Sequence, residues 1–374
     1  MNNLLLLILL NISFSQAFPT SELLSVAAYE ARAQNILTDL SYNYYHHGAF
    51  DDLTINSNNK AFHKYRIRPN YIVDVSNINT TTTILGSTIE WPVGVAPTGH
   101  HKIANALGEI ATAKAAARQG TIYIQSSLSN TLLEDVAEAT RGSVKWFQMY
   151  VNKNYTINKL FIDRVEKAGF QAIVLTFDDP VSTYVRNNHF KDFGSIYKAS
   201  LPNYEILGLQ FSGEVFGPAV TLDDLKWFVN NTKLPVVAKG ILTKEGALRV
   251  KEAGCKGVIV SNHGGRQLDS VPASIEALPE VVAAVGDSLT VMLDSGIRGG
   301  PDVFKSLAKG AKCVFGGTSV LWGLTVDGEN GVFEVLKLIR TEFEKVLGLA
   351  GFPTLASITR NSVVHEHYYE KLSD

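Results

Sequence analysis

A histidine and an arginine separated by a Gly-Gly pair stand in Ser261-Asn262-His263-Gly264-Gly265-Arg266-Gln267-Leu268-Asp269, directly after the apolar run Gly257-Val258-Ile259-Val260. A base beside a guanidinium suits a substrate that carries a carboxylate and must lose a proton. The glycines let the backbone turn sharply where a buried strand ends. A solvated turn shows the same Gly-Gly signature, so the rest of the chain has to separate the two readings.

Length and charge narrow the classes. The 374 residues suffice for two domains, yet an α/β barrel with insertions runs past about 250 residues as one. The formal net charge of −2, with both signs interspersed, provides no basic stripe for nucleic acid and no acidic tail. A small-molecule partner is therefore expected. His100-His101 is the one pair that suggests a metal, but no Cys or carboxylate cluster accompanies it and no metal site is expected.

At the N-terminus, Leu4 to Leu10 continues through Ile12 and Phe14 into Ser15-Gln16-Ala17, a small-x-small pattern suited to cleavage before Phe18. The run is shorter than the roughly 20 residues of a bilayer span. It reads as a signal peptide over residues 1–17, leaving one domain over 18–374 and no membrane span. Asn79-Thr80-Thr81, Asn154-Tyr155-Thr156 and Asn230-Asn231-Thr232 are glycosylation acceptor patterns compatible with that route. The last residues, Lys371-Leu372-Ser373-Asp374, are not a peroxisomal Ser-Lys-Leu ending. The expected location is outside the cell or in the lumen of the secretory pathway. Cys255 and Cys313 each lie at or beside an apolar run, which predicts two buried free thiols.

The elements that must position His263 and Arg266 are legible from Trp91 onward, where short apolar runs alternate with helical segments. Eight strands are expected: Val93 to Ala96, Thr121 to Gln125, Val144 to Tyr150, Ala172 to Phe177, Pro235 to Lys239, Gly257 to Ser261, Thr290 to Asp294 and Cys313 to Gly316. Helices run from Asn105 to Gln119, Asn158 to Ala168 and Thr243 to Ala253, stopped by Gly120, Gly169 and Gly254. Eight such units in series point to a (β/α)8 TIM barrel. An open doubly wound sheet is the alternative, but no G-x-G-x-x-G follows the first strand. Residues 21 to 90 read as a helical, loop-rich cap, and Phe190 to Thr221, after the fourth strand, as a lid.

In such a barrel the C-terminal strand ends carry the chemistry. They supply Pro97 and Thr98, Gln125 and Ser126, Gln148 and Tyr150, Thr176 and Asp178, Lys239, Ser261 with His263 and Arg266, Asp294 with Gly296 and Arg298, and Gly316 with Gly317. Asp294-Ser295-Gly296-Ile297-Arg298-Gly299-Gly300 and Gly316-Gly317-Thr318-Ser319 close strands seven and eight, the usual barrel phosphate site. These glycines equally permit tight turns, and Arg298 beside them favours an anion.

With these residues in place the chain resembles the FMN-dependent 2-hydroxy acid oxidase and dehydrogenase family, which includes glycolate oxidase. Beyond the two segments just named, the resemblance rests on Tyr42-Asn43-Tyr44-Tyr45, Thr81-Thr82-Thr83-Ile84-Leu85-Gly86, Ala96-Pro97-Thr98, Phe147-Gln148-Met149-Tyr150, Leu175-Thr176-Phe177-Asp178 and Ala238-Lys239-Gly240, and covers roughly residues 22 to 370. It implies that His263 removes a proton as the substrate is oxidised, that Asp178 stabilises the resulting imidazolium, and that Arg266 clamps the carboxylate while Tyr44 and Tyr150 hydrogen-bond the substrate. It places Lys239 at the pyrimidine edge of the flavin, and Pro97, Thr98, Gly99, Ser126, Gln148, Thr176 and Ser261 along the ring and ribityl chain. Asp294, Gly296, Arg298, Gly316 and Gly317 fall to ribityl and phosphate. A homotetramer or larger assembly is implied too.

The chain departs from the family at three places. Thr318 stands where an arginine usually contacts the phosphate. The segment Val181-Ser182-Thr183-Tyr184-Val185-Arg186 replaces a Gly-x-Arg pattern and leaves Arg186 as a shifted candidate for the substrate carboxylate. Gly99 and Leu128 replace an alanine and a tryptophan, which predicts a roomier pocket and a longer or branched acid. The reading that follows is oxidation of an (S)-2-hydroxy acid to a 2-oxo acid, with dioxygen as acceptor and hydrogen peroxide as product. The alternatives are a dehydrogenase using another acceptor and a secreted flavin-poor barrel acting as a binding protein.

Overall fold

The computed structural model describes residues 23–181, 183, 196, 199–209 and 220–370. The expected signal peptide, Arg186 and most of the expected lid lie outside these residues. Eight parallel strands close into a barrel in sequence order: β1 Val93–Val95, β2 Tyr123–Ser126, β3 Lys145–Met149, β4 Ile173–Thr176, β5 Val236–Ile241, β6 Gly257–Val260, β7 Thr290–Asp294 and β8 Val314–Gly316. Each of the eight expected strands is present, with ends displaced by up to a few residues.

Alternation along the strands creates two shells and also the site. Ile124, Trp146, Val174, Val237, Ile259, Met292 and Phe315 pack in one cluster inside the barrel, and their neighbours, such as Phe147, Ile173, Val258 and Val291, pack outward against the helices. Two residues beyond the inward set come Ser126, Gln148, Thr176, Lys239, Ser261 and Asp294, all buried. The pleat that buries Trp146 and Ile259 therefore aims a polar layer inward at the C-terminal mouth. Truncating Trp146 to alanine removes a fully buried indole, a loss of about 3–5 kcal/mol.

The helices follow the expected punctuation. Gly108–Arg118, Tyr155–Lys167 and Lys244–Glu252 end just before Gly120, Gly169 and Gly254, whose φ values are +62°, +79° and +87°. The first starts at Gly108 rather than Asn105, because residues 101–103 form a separate 3-10 turn. The cap contains helices Val26–Gln34, Asp39–His46 and Leu53–Ala61. It also holds strands the sequence did not suggest: Thr82–Ile84 pairs with Ser87–Ile89, and Tyr65–Ile67 pairs with Val363–His365. Ile84 and Ile89 join the interior cluster and so close the barrel floor.

Cap and barrel are fastened at the site. Asp269 accepts hydrogen bonds from the backbone N–H groups of Asp51, Leu53 and Thr54 at 3.1, 3.3 and 2.7 Å. Asn58 and Asn262 exchange reciprocal side-chain bonds at 2.9 and 2.7 Å. A Cβ on Gly265 would lie 2.5 Å from the Ile55 nitrogen, so glycine is required for this approach. Pro202–Glu205 is likewise tied down over the end of β2, where the Tyr204 hydroxyl donates to Ser127 Oγ at 3.1 Å. Cys255 and Cys313 are buried free thiols, and burial pushes Cys255 up to about 12.

Candidate active site

The barrel mouth opens into a cavity of about 560 Å³, within the roughly 300–1,000 Å³ range of small-molecule clefts. Among the expected residues, Tyr44, Pro97, Thr98, Gly99, Ser126, Gln148, Tyr150, Thr176, Lys239, His263, Arg266, Asp294, Gly296, Arg298 and Gly317 line it. Asp178, Ser261 and Gly316 lie behind the wall. Ser261 Oγ accepts the backbone N–H of His263 at 3.0 Å and so sets the turn that presents the imidazole. His263, Gly264 and Gly265 have successive φ values of +58°, +68° and +79°. Histidine tolerates this region better than a β-branched residue does.

His263 Nδ1 and Asp178 Oδ1 are 2.8 Å apart. A carboxylate only accepts, so Nδ1 carries the proton and Nε2 is left as the basic atom. Burial alone would raise the Asp178 carboxyl, but Lys239 and His263 outweigh it and hold it well below the usual carboxylate range. Lys239 Nζ lies 3.6 Å from Asp178 Oδ2 and 3.8 Å from Asp294 Oδ2. Burial opposes the ammonium charge, yet the two aspartates raise its pKa overall, so the cation persists in the wall. The backbone is shaped around this group: Gly240 has φ +98°, and a Cβ there would lie 2.6 Å from Asp178 Cβ.

Arg266 is held by the cap, donating to the carbonyl oxygens of Tyr44 and, at 3.4 Å, of His47. Its guanidinium carbon stands 4.8 Å from the centroid of the Tyr44 ring. Burial raises the Tyr150 phenol well above its ordinary value, with Asp179 and Asp178 adding to the shift, so its hydroxyl stays protonated. His101 is absorbed by structure, with Nε2 on Thr98 Oγ1 at 2.6 Å and Nδ1 on Thr112 Oγ1 at 3.0 Å. Among the described residues no His, Cys, Asp and Glu group could hold a metal.

The adjacent strand ends carry a ladder of neutral donors and acceptors. Ser126 Oγ donates to Gln148 Oε1 at 3.0 Å, and Gln148 Nε2 donates to Thr176 Oγ1 at 2.9 Å. The two glycine loops divide their tasks differently from the sequence expectation. The amides of Arg298 and Gly299 are taken by Asp302 Oδ2 at 3.0 and 3.1 Å, and that of Gly300 by Glu342 at 2.8 Å. The helix beginning at Thr318 follows Gly317 without a side-chain cap, so its N-terminus is the better anion cradle. Sequence reasoning missed Asp179, His47, Asn59 and Gln267, which also line the cavity. Only the adjacency of Asp179 to Asp178 could have flagged one of them.

The chain matches the FMN-dependent dehydrogenase family model over residues 33–365. It is 42% identical over 351 residues to human 2-hydroxyacid oxidase 2, covering 91% of this chain and 98% of that protein. It is 41% identical over 355 residues to the peroxisomal (S)-2-hydroxyacid oxidase GLO3 of Arabidopsis thaliana, covering 92% and 98%. A soluble mutant of the membrane-associated (S)-mandelate dehydrogenase from Pseudomonas putida superposes with a TM-score of 0.86 at 31% identity, covering 92% and 100%. The chain belongs to the FMN-dependent dehydrogenase family and is an FMN-dependent oxidoreductase.

The residues present fit that cofactor. The Lys239 ammonium is buried without a hydrogen-bond partner among the described residues, the ladder offers amide and hydroxyl groups, and Arg298 lines the same cavity as Gly317 and Thr318. Lys239, Ser126, Gln148 and Thr176 would hold the ring, and Asp294, Gly296, Arg298, Gly317 and Thr318 the ribityl phosphate.

Proposed function

We propose that the protein oxidises an (S)-2-hydroxy acid to the 2-oxo acid, with dioxygen as final acceptor and hydrogen peroxide as product. The observation that carries this reading is the His263–Asp178 pair opening on the same cavity as Arg266, Tyr44 and Tyr150. Bound FMN supplies a two-electron acceptor. Arg266 receives the substrate carboxylate through the N–H groups not spent on Tyr44 and His47, and the guanidinium fork suits a planar anion. Tyr150, kept protonated by burial, donates to substrate oxygen.

His263 Nε2 takes up a substrate proton as two electrons leave C2, and Asp178 stabilises the imidazolium through Nδ1. The substrate loses two electrons and two protons in all, and dioxygen finally receives them as hydrogen peroxide. The relatives named oxidases, at 41% and 42% identity, support dioxygen over another acceptor. The small Gly99 and Leu128 in the cavity wall support an acid longer than glycolate.

The apolar segment Leu4 to Leu10 and the exposed Asn79, Asn154 and Asn230 support passage through the secretory pathway. A homotetramer or larger assembly is proposed from the family resemblance, and light scattering on the flavin-loaded protein measures it. The test of the chemistry is His263→Gln. The variant should retain FMN and lose its reduction by 2-hydroxy acids about a hundredfold or more, whereas an unchanged rate would remove His263 from the mechanism.

A further inference from the structure

Asp178 and Asp179 are consecutive in sequence but differ in their hydrogen-bond partners and in their place relative to the cavity. Asp178 lies behind the wall, bonded to His263 and flanked by Lys239. Asp179 lines the cavity, half-buried, and no hydrogen bond or ion pair to it is formed among the described residues. The charges around it come from four strand ends and are already committed. Lys239 on β5 is balanced by Asp178 after β4 and Asp294 on β7. Arg266 after β6 takes the substrate carboxylate in the proposed reaction, and His263 hydrogen-bonds Asp178. Tyr150 after β3 is kept in its neutral form by burial.

Among the described residues one negative charge is therefore left at the cavity wall without a counterion. Burial pushes the Asp179 carboxyl up, as expected of a partly desolvated carboxylate that His263, Lys239 and Arg266 compensate incompletely. A hydrogen-bond donor brought to it by a ligand would relieve the deficit, whereas a second carboxylate would deepen it.

We propose that Asp179 is a specificity-determining residue that selects 2-hydroxy acids whose side chain ends in an ammonium or another hydrogen-bond donor. The inference rests on the 2-hydroxy acid reading, names the side-chain class within it, and places dicarboxylic hydroxy acids among the poorest substrates. Ammonium and hydroxyl share the donor chemistry and differ in charge, so the two are separated by experiment.

The test uses the full-length, FMN-loaded protein and two variants, Asp179→Asn and Asp179→Ser. Neither variant removes a hydrogen bond formed within the described residues. The first readout is anaerobic flavin reduction by 2-hydroxyhexanoate and by its counterparts with a terminal ammonium, hydroxyl or carboxylate, at several chain lengths. The second is binding of the matching unhydroxylated carboxylates, which cannot be oxidised at C2, read from perturbation of the flavin spectrum. In the unmodified protein the ammonium compound should exceed the apolar one by roughly tenfold or more in kcat/KM and in affinity, the hydroxyl compound falling between. Both variants should bring that ratio close to one.

A ratio at or below one in the unmodified protein, or one that neither variant changes, overturns the role of Asp179 while flavin reduction by the apolar acid leaves the reaction standing. If no acid reduces the flavin, the reaction reading fails, and the binding ratio still decides the selectivity of Asp179.

Discussion

His263 Nδ1 stands 2.8 Å from Asp178 Oδ1, and the other oxygen of the same carboxylate stands 3.6 Å from Lys239 Nζ. The aspartate thus joins the basic histidine to the buried cation in the cavity wall. Asp178→Asn keeps the shape, but its amide can donate as well as accept, so the His263 tautomer is no longer fixed and the imidazolium loses its counterion. kcat should fall about a hundredfold to ten-thousandfold with bound FMN retained. Stopped-flow flavin reduction beside the visible spectrum checks both.

Gly240 is required by Asp178. At φ +98°, with a Cβ position 2.6 Å from Asp178 Cβ, alanine must shift one backbone or the other. Gly240→Ala should cost about 1–3 kcal/mol of stability and lower kcat by displacing Asp178. Denaturant unfolding and steady-state kinetics measure the two effects, and a fully active, equally stable variant would contradict the packing argument.

Thr318 begins the uncapped helix beside Gly317 at the expected phosphate end. Thr318→Arg adds a charge-assisted donor, so FMN should bind about tenfold to a hundredfold more tightly. Fluorescence titration of the apoprotein with FMN reads the change directly.

The neighbouring aspartates should act oppositely on stability as pH changes. Asp178 has a folded pKa below its usual 3.8, because Lys239 and His263 override the upward push of burial. Its stabilisation is complete above that value and is lost as pH falls through the depressed one. Asp179 has a folded pKa raised by burial, so stability declines as pH rises from the usual 3.8 through the raised value. At pH 7 Asp178→Asn should therefore lower Tm and Asp179→Asn raise it, with both differences shrinking in acid. Thermal melts across pH test the signs.

The barrel was legible because each strand is a compact apolar run, and the period-2 pleat that buries Trp146 also fixes Gln148 at the mouth. Strand ends were less legible. β5 continues through Gly240 to Ile241 because glycine accepts the φ of +98° that an apolar-run argument does not foresee. The site residues could be read from their places after strands, whereas the task of Ser261, bonding the His263 amide, depends on a turn geometry absent from the residue types. The contacts of Asn58 with Asn262 and of Ile55 with Gly265 join segments some two hundred residues apart, and local spacing carries no trace of them. Asp179 is not legible because a second aspartate looks like surface charge until the folded chain places it in the cavity lining.

The most direct test of the proposed reaction is the visible spectrum of the purified, FMN-loaded protein before and after anaerobic addition of mixed 2-hydroxy acids, followed by admission of air. The account predicts a bound-flavin spectrum that bleaches with the acids and returns with air, yielding one hydrogen peroxide per 2-oxo acid. Retained flavin that no 2-hydroxy acid bleaches would contradict it.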